Sequence, residues 1–299
     1  MIAPAFPSAR SGRFPVVARA WSVHGTRAGR GRESLAEGGR VSDPEPSMLA
    51  RGTALGLLPV AVAQFAWLRN TGVRLRAARG SRAGRTGDVG ASPLGLLVLG
   101  DDTVVGVGCS AVDRTLAPRL AYGLSGRLRL AVDWRIEGGV GWTVLRLDDH
   151  LRRHGVPPCD AALVVVGSED AASLTTGADF RRGVVRIRDR LLGAGARLVA
   201  FAGLPAIDRL PALTWPLGTL LGQRARQLDR SLRTLVERTP LTPDRSVVHL
   251  PVPTAELEGL FARDGIHLSA AGYARWAAHL ADALAGEWRA LPSLIERRG

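Results

Sequence analysis

Four short blocks hold the residues best suited to chemistry. They are Gly100-Asp101-Asp102-Thr103 running on to Gly108; Gly138, Gly139 and Gly141 ahead of Trp142-Thr143; Gly167-Ser168-Glu169-Asp170; and Asp264-Gly265-Ile266-His267 leading into Ser269-Ala270-Ala271-Gly272-Tyr273. Carboxylates and an imidazole are the groups from which acid–base, nucleophilic and hard-cation sites are made. Other candidates are weaker. His150 and His154 stand four apart on an expected helix, a metal-ligand spacing, but no third ligand is near and the surrounding Arg residues mark an exposed face. Cys109 and Cys159 form neither a CxxC pair nor a disulfide framework. They read as small semi-buried residues and leave the redox compartment undecided.

The elements that would position these blocks can be read from the apolar runs. Leu96-Leu97-Val98-Leu99 closes on Gly100, as a buried parallel strand does, and similar runs recur over 128–134, 161–166, 197–202 and 246–250. Between them, helical spacing occupies 142–154, 179–193, 217–237 and 269–286. Strands alternating with helices call for a parallel sheet wrapped on both faces. The expectation is a flavodoxin-like, doubly wound α/β domain with five parallel strands over residues 93–289, followed by a short tail, 290–299. Right-handed crossovers place the functional loops at the carboxyl ends of the strands. All four blocks lie at or just beyond expected strand ends.

Taken together, in this order, the blocks resemble the SGNH (GDSL-type) hydrolase family of esterases, lipases and acyl hydrolases, over residues 94–286. The resemblance implies a small-molecule ester or acyl substrate and no cofactor or metal. In such a site a Ser attacks an ester carbonyl, a His takes its proton and an Asp holds the imidazole in the useful tautomer. Backbone N–H groups and an Asn side chain converge on the developing oxyanion. Carried over residue by residue, His267 matches the base, Asp264 its orienting acid and Gly141 the oxyanion glycine. Asp102 stands where the family has its Ser, and Glu169 where it has its Asn.

Those two departures are chemically severe. Asp102 is no alcohol, and Glu169 has no amide N–H. Losing one oxyanion donor costs ~3–4 kcal/mol, and a negative charge in its place costs more. Ser110 and Ser168 are poor substitutes for the nucleophile. Three readings stay open. In the first, the chain is a binding or scaffolding protein in which Asp102 caps a helix N-terminus. In the second, Asp102 attacks as a carboxylate while His267 and Asp264 activate water. In the third, Asp102, Glu169 and His267 hold a divalent ion. Two neighbouring carboxylates otherwise share a proton or find a cation, for which Arg263 is a candidate.

Composition excludes some classes. Of 299 residues 46% are hydrophobic and 22% charged, as in an ordinary globular protein. The net charge of +13 invites a nucleic-acid reading. All 40 basic residues are Arg, only 5% of residues are aromatic, and residues 1–90 alone hold 14 Arg against 5 acids. That is a lopsided excess without base-stacking platforms, so no nucleic-acid partner is expected. Residues 1–47 read as a disordered basic extension, with Met48 a second candidate start. Residues 48–70 read as an apolar helix and 71–92 as a Gly/Arg/Ser linker. Within the helix, 52–68 is uncharged but short of the ~20 residues that span a bilayer, and it contains Pro59 and Gln64. It is either packed on the domain, lying in an interface, or a membrane anchor. As an anchor, the Arg residues that follow it would hold the domain on the cytoplasmic side; the expected location is thus cytoplasmic or membrane-anchored facing the cytoplasm.

Overall fold

The computed structural model describes residues 48–87 and 93–292. The extension expected over 1–47 and the last residues of the tail lie outside the described residues. Six strands form one sheet: β1 (Ala83–Thr86), β2 (Leu94–Gly100), β3 (Val132–Gly138), β4 (Ala161–Val165), β5 (Leu198–Ala202) and β6 (Ser246–Leu250). The helices are α1 (Met48–Thr71), α2 (Leu116–Leu128), α3 (Val144–His154), α4 (Ser168–Ala172), α5 (Gly177–Gly193), α6 (Leu217–Glu237), α7 (Thr254–Leu257) and α8 (Ala270–Ala290). The strand order is β1-β3-β2-β4-β5-β6, with β2 to β6 parallel and β1 antiparallel to β3. This is the expected doubly wound α/β fold with one strand more than the five expected.

The sequence of β2, Leu-Gly-Leu-Leu-Val-Leu-Gly, explains its central place. Alternate side chains point to opposite faces of a strand, and both sets here are apolar. Leu94, Leu96 and Val98 pack with α2 and α8, while Leu97 and Leu99 pack with α3, α5 and α6. Because β3 lies on one side of β2 and β4 on the other, the chain reverses its winding at the carboxyl end of β2, where open α/β sheets form their clefts.

Two expectations need correction, and one of the three alternatives for the helix over 48–70 loses support. The strand expected from Leu128 begins at Val132, because α2 runs through Leu128 and ends on Arg129 in the left-handed region at φ 56°. The linker expected over 71–92 contributes structure: β1 fills the outer edge of β3, and Arg85 clasps Asp133 at 2.5 and 2.6 Å. Ahead of β1, the Ala78 and Arg79 N–H groups donate to Val105 and Ser110 carbonyls at 3.0 and 3.1 Å. Finally, no helix among the described residues is long and apolar enough to cross a membrane. Helix α1 instead lies against α6, where Gln64 donates to the Trp215 carbonyl at 2.8 Å and accepts from the Leu217 N–H at 3.1 Å. Trp215 itself is 66% exposed.

Candidate functional site

Asp101 and Asp102 leave the end of β2 in a series of turns and not in a helix; the next helix, α2, begins at Leu116. Asp102 therefore does not cap a helix. The turns are held by the Val107 N–H donating to the Asp102 carbonyl at 3.0 Å and by the Tyr273 hydroxyl of α8 donating to the Val107 carbonyl at 2.8 Å. At Gly108, φ is +102° and a Cβ would strike the Leu268 carbonyl, so the absent side chain brings this loop against His267-Leu268.

The Asp102 carboxylate bridges two groups. Its Oδ1 accepts from the Gly141 N–H at 2.5 Å, and its Oδ2 lies 3.3 Å from His267 Nε2. On the other side of the ring, His267 Nδ1 is 2.6 Å from Asp264 Oδ2. Asp264 Oδ1 in turn accepts from the Ile266 and His267 N–H groups, both at 3.1 Å. Burial pulls the imidazole toward its neutral form, but the hydrogen bonds to Asp102 and Asp264 prevail and lift its pKa to about 9. Burial also works against an ionised Asp264, yet His267 and the two backbone donors hold its pKa below the ordinary carboxylate value.

Glu169 enters the same cleft from the first turn of α4. It lines the cavity, and its Oε1 lies 3.9 Å from where a Cβ on Gly141 would sit. All five residues singled out in the sequence, Asp102, Gly141, Glu169, Asp264 and His267, are thus brought together. Arg263 is exposed, and Asp102 takes His267 as its partner. Among the described residues, no group of three or more His, Cys, Asp or Glu is arranged to hold a metal ion, so the three-ligand cation site is not assembled. His150 and His154 stack on one another at 4.5 Å, with His150 Nε2 3.1 Å from Glu137 Oε2.

Sequence reasoning missed two residues. Asp170 is fully buried, and its two carboxylate oxygens accept from the Val144 N–H at 3.2 and 3.0 Å, anchoring the start of α3 just beyond Gly141. Asp101 is buried beside Asp102; burial raises its pKa to about 7 against the opposing Thr103 N–H, and the charges of Asp102 and Glu169 add to the rise. Both stand inside the quoted blocks, so the signal was present, but nothing in the spacing distinguishes a buried carboxyl from an exposed one.

The cleft opens into a cavity of about 820 Å³. Its polar end carries Asp102, Glu169 and His267; its walls are largely apolar, with Leu210, Leu213 and Phe261 among them. Helix α1 and the residues after it add Phe65, Leu68 and Val73 to that wall.

Residues 98–275, more than half of the chain, match the GDSL-like lipase/acylhydrolase family. The chain belongs to this family. It is 30% identical over 186 residues to the GDSL-like esterase Rv1075c of Mycobacterium tuberculosis, an alignment covering 60% of this chain and 58% of that protein. Among solved structures, it is similar to the lipase Lip_vut3 from a goat rumen metagenome, with 17% identity, a TM-score of 0.49, and 64% of this chain and 97% of that one covered. A lipase/acylhydrolase from Enterococcus faecalis gives 20% identity, a TM-score of 0.44, and coverage of 65% and 96%. A GDSL-family chain thus carries the Asp102–His267–Asp264 array at the mouth of a large apolar cavity.

Proposed function

We propose that this chain uses a GDSL-family cleft to hold an apolar, acyl-type ligand, and that the serine mechanism of ester hydrolysis is not its chemistry. The reading rests on the Asp102 carboxylate bridging the Gly141 N–H and His267 Nε2. A serine mechanism needs an unoccupied oxyanion donor and a neutral imidazole. Asp102, in the position we assign to the family's Ser, engages both. With its pKa near 9, His267 is an imidazolium at neutral pH and has no lone pair with which to accept a proton. Glu169, in the position we assign to the Asn, brings a carboxylate where an amide donor is required. The apolar walls of the cavity remain suited to a hydrocarbon chain.

The test is hydrolysis of p-nitrophenyl esters of increasing acyl length by the full chain, by His267→Ala and by the double reversion Asp102→Ser with Glu169→Asn, together with a thermal shift on adding a long-chain acyl ester. The expected result is a wild type at background, stabilised by the ester, and a double reversion that turns it over. Wild-type turnover that disappears in His267→Ala overturns the reading, as does a wild type that the ester leaves unshifted.

One observation favours a second reading, in which Asp102 is itself a nucleophile. With Oδ1 held by the Gly141 N–H, Oδ2 would attack a saturated carbon whose leaving group departs with the bonding pair. Neutral His267 would then take a proton from water as the water adds to the Asp102 carboxyl carbon. It would return that proton to the ester oxygen as the bond between that oxygen and the carboxyl carbon breaks, releasing an alcohol, a proton and the Asp102 carboxylate. Hydrolysis in labelled water, with label incorporated into Asp102 and a rate rising as pH approaches 9, would establish it.

A further inference from the structure

Helix α1 has its polar and apolar faces arranged oppositely to a surface helix of a soluble domain. From Gly56 to Leu68 its one polar side chain is Gln64, and that side chain is turned toward the domain, bonded to Trp215 and Leu217. Ala61 is buried, and Phe65 and Leu68 wall the cavity, completing an inward face at helical spacing. The side away from the domain spans about half of the helix circumference. It carries Leu58 at 50% exposure, Val60 at 48%, Val62 at 59% and Trp67 at 66%. Trp215, whose carbonyl accepts from Gln64, is itself 66% exposed. Surface helices ordinarily turn polar residues to water. Here the side facing water is apolar.

The charge around this face selects its occupant. Residues 48–87 contain seven Arg and no Asp or Glu. Arg85 is held by Asp133 and Arg82 donates to the Gly138 carbonyl, Arg74 lines the cavity, and Arg76 and Arg79 are exposed beyond the helix. A second copy of the chain, also at +13, would bring the same basic segment against itself. An anionic lipid surface meets both requirements, taking the apolar face and two tryptophans at its boundary and the arginines at its headgroups.

We propose that α1 docks flat on an anionic bilayer, with Leu58, Val62, Trp67 and Trp215 inserted at the headgroup boundary. The helix lies in the surface and does not cross it. Since α1 also walls the cavity, docking sets the cleft beside the phase in which long acyl chains reside. This inference stands apart from the ligand reading above, because its test reads the salt dependence of vesicle association and its loss on substitution of outward α1 residues, none of which lines the cavity.

The experiment is flotation of the full chain with vesicles of phosphatidylcholine alone or mixed equally with phosphatidylglycerol, at low and high salt. The expected result is binding to the anionic vesicles that weakens with salt and falls at least tenfold in Leu58→Glu with Val62→Glu. Arg76→Ala with Arg79→Ala leaves the apolar face intact and weakens binding about thirtyfold, from about 1 kcal/mol for each charge. Tyr122→Glu, at an exposed aromatic on α2, leaves binding unchanged. Thermal melts of each variant verify the fold. No association with anionic vesicles, equal binding to neutral ones, or binding indifferent to the α1 substitutions overturns the proposal. So does a dimer in sedimentation that the same α1 substitutions dissociate, since a second copy would then be the occupant.

Discussion

One carboxylate sets the state of the cleft. Asp102 touches the backbone donor on one side and the imidazole on the other, and it shares with Asp264 the holding of the His267 proton against burial. Asp102→Asn keeps the shape and removes the charge. Its expected effect is to bring the His267 pKa down from about 9 toward the ordinary 6.5, read by NMR titration of the ring protons. A titration unchanged in the variant would show that Asp264 alone holds the proton. The chemical shape of the site was legible in the sequence because each block is short and local. What was not legible is the Asp102 contact, which joins residues 39 and 165 positions apart through one side-chain orientation. The sequence therefore left a helix cap, an ion site and a nucleophile open, and the turns after β2 remove only the helix cap among them.

At the scale of elements, long-range packing explains what pattern reading found and missed. The central strands were visible because both their faces are apolar over a bounded length. Helix α2 was not, since Pro118, Gly123, Ser125 and Gly126 give it the composition of a loop. Its partner explains the glycine: a Cβ at Gly123 would lie 2.7 Å from that of Ala281, so the missing side chain lets α2 and α8 close on each other. Strand β1 was hidden for a similar reason, its four residues Ala-Gly-Arg-Thr having no apolar signal and owing their form to the open edge of β3. The link between α4 and α3 makes a measurable claim. Asp170→Ala removes the acceptor for the Val144 N–H and is expected to cost about 1–2 kcal/mol, as loss of a helix cap does, with Asp170→Asn milder. Urea unfolding gives the value; a midpoint unchanged in the alanine variant would remove Asp170 from the set of positioning residues.

For the whole molecule, two raised groups give stability a slope with pH. His267 is lifted from 6.5 to about 9, so the stability its proton confers is complete below pH 6.5 and is lost as pH rises through 9. Asp101 is lifted from 3.8 to about 7, and its contribution is likewise lost as pH rises, over a lower window. Asp264 acts in the other direction, its depressed pKa giving stability that disappears as pH falls below the ordinary carboxylate range. Thermal unfolding followed from pH 6 to 9.5 should therefore show a falling midpoint, with a shallower fall in Asp102→Asn. A flat profile would mean that the paired imidazole contributes nothing to folding.

The strand that borders β3 has a practical consequence for anyone who trims the chain. The family match begins at residue 98, which invites a cut near 93. Such a cut would discard β1, leaving the outer N–H and C=O groups of residues 132–136 bare. Exposed edges of that kind recruit other strands. The shortened protein would tend to aggregate edge to edge, and a failed expression trial would then report on the cut and not on the fold. A boundary upstream of Ala78 keeps the border closed.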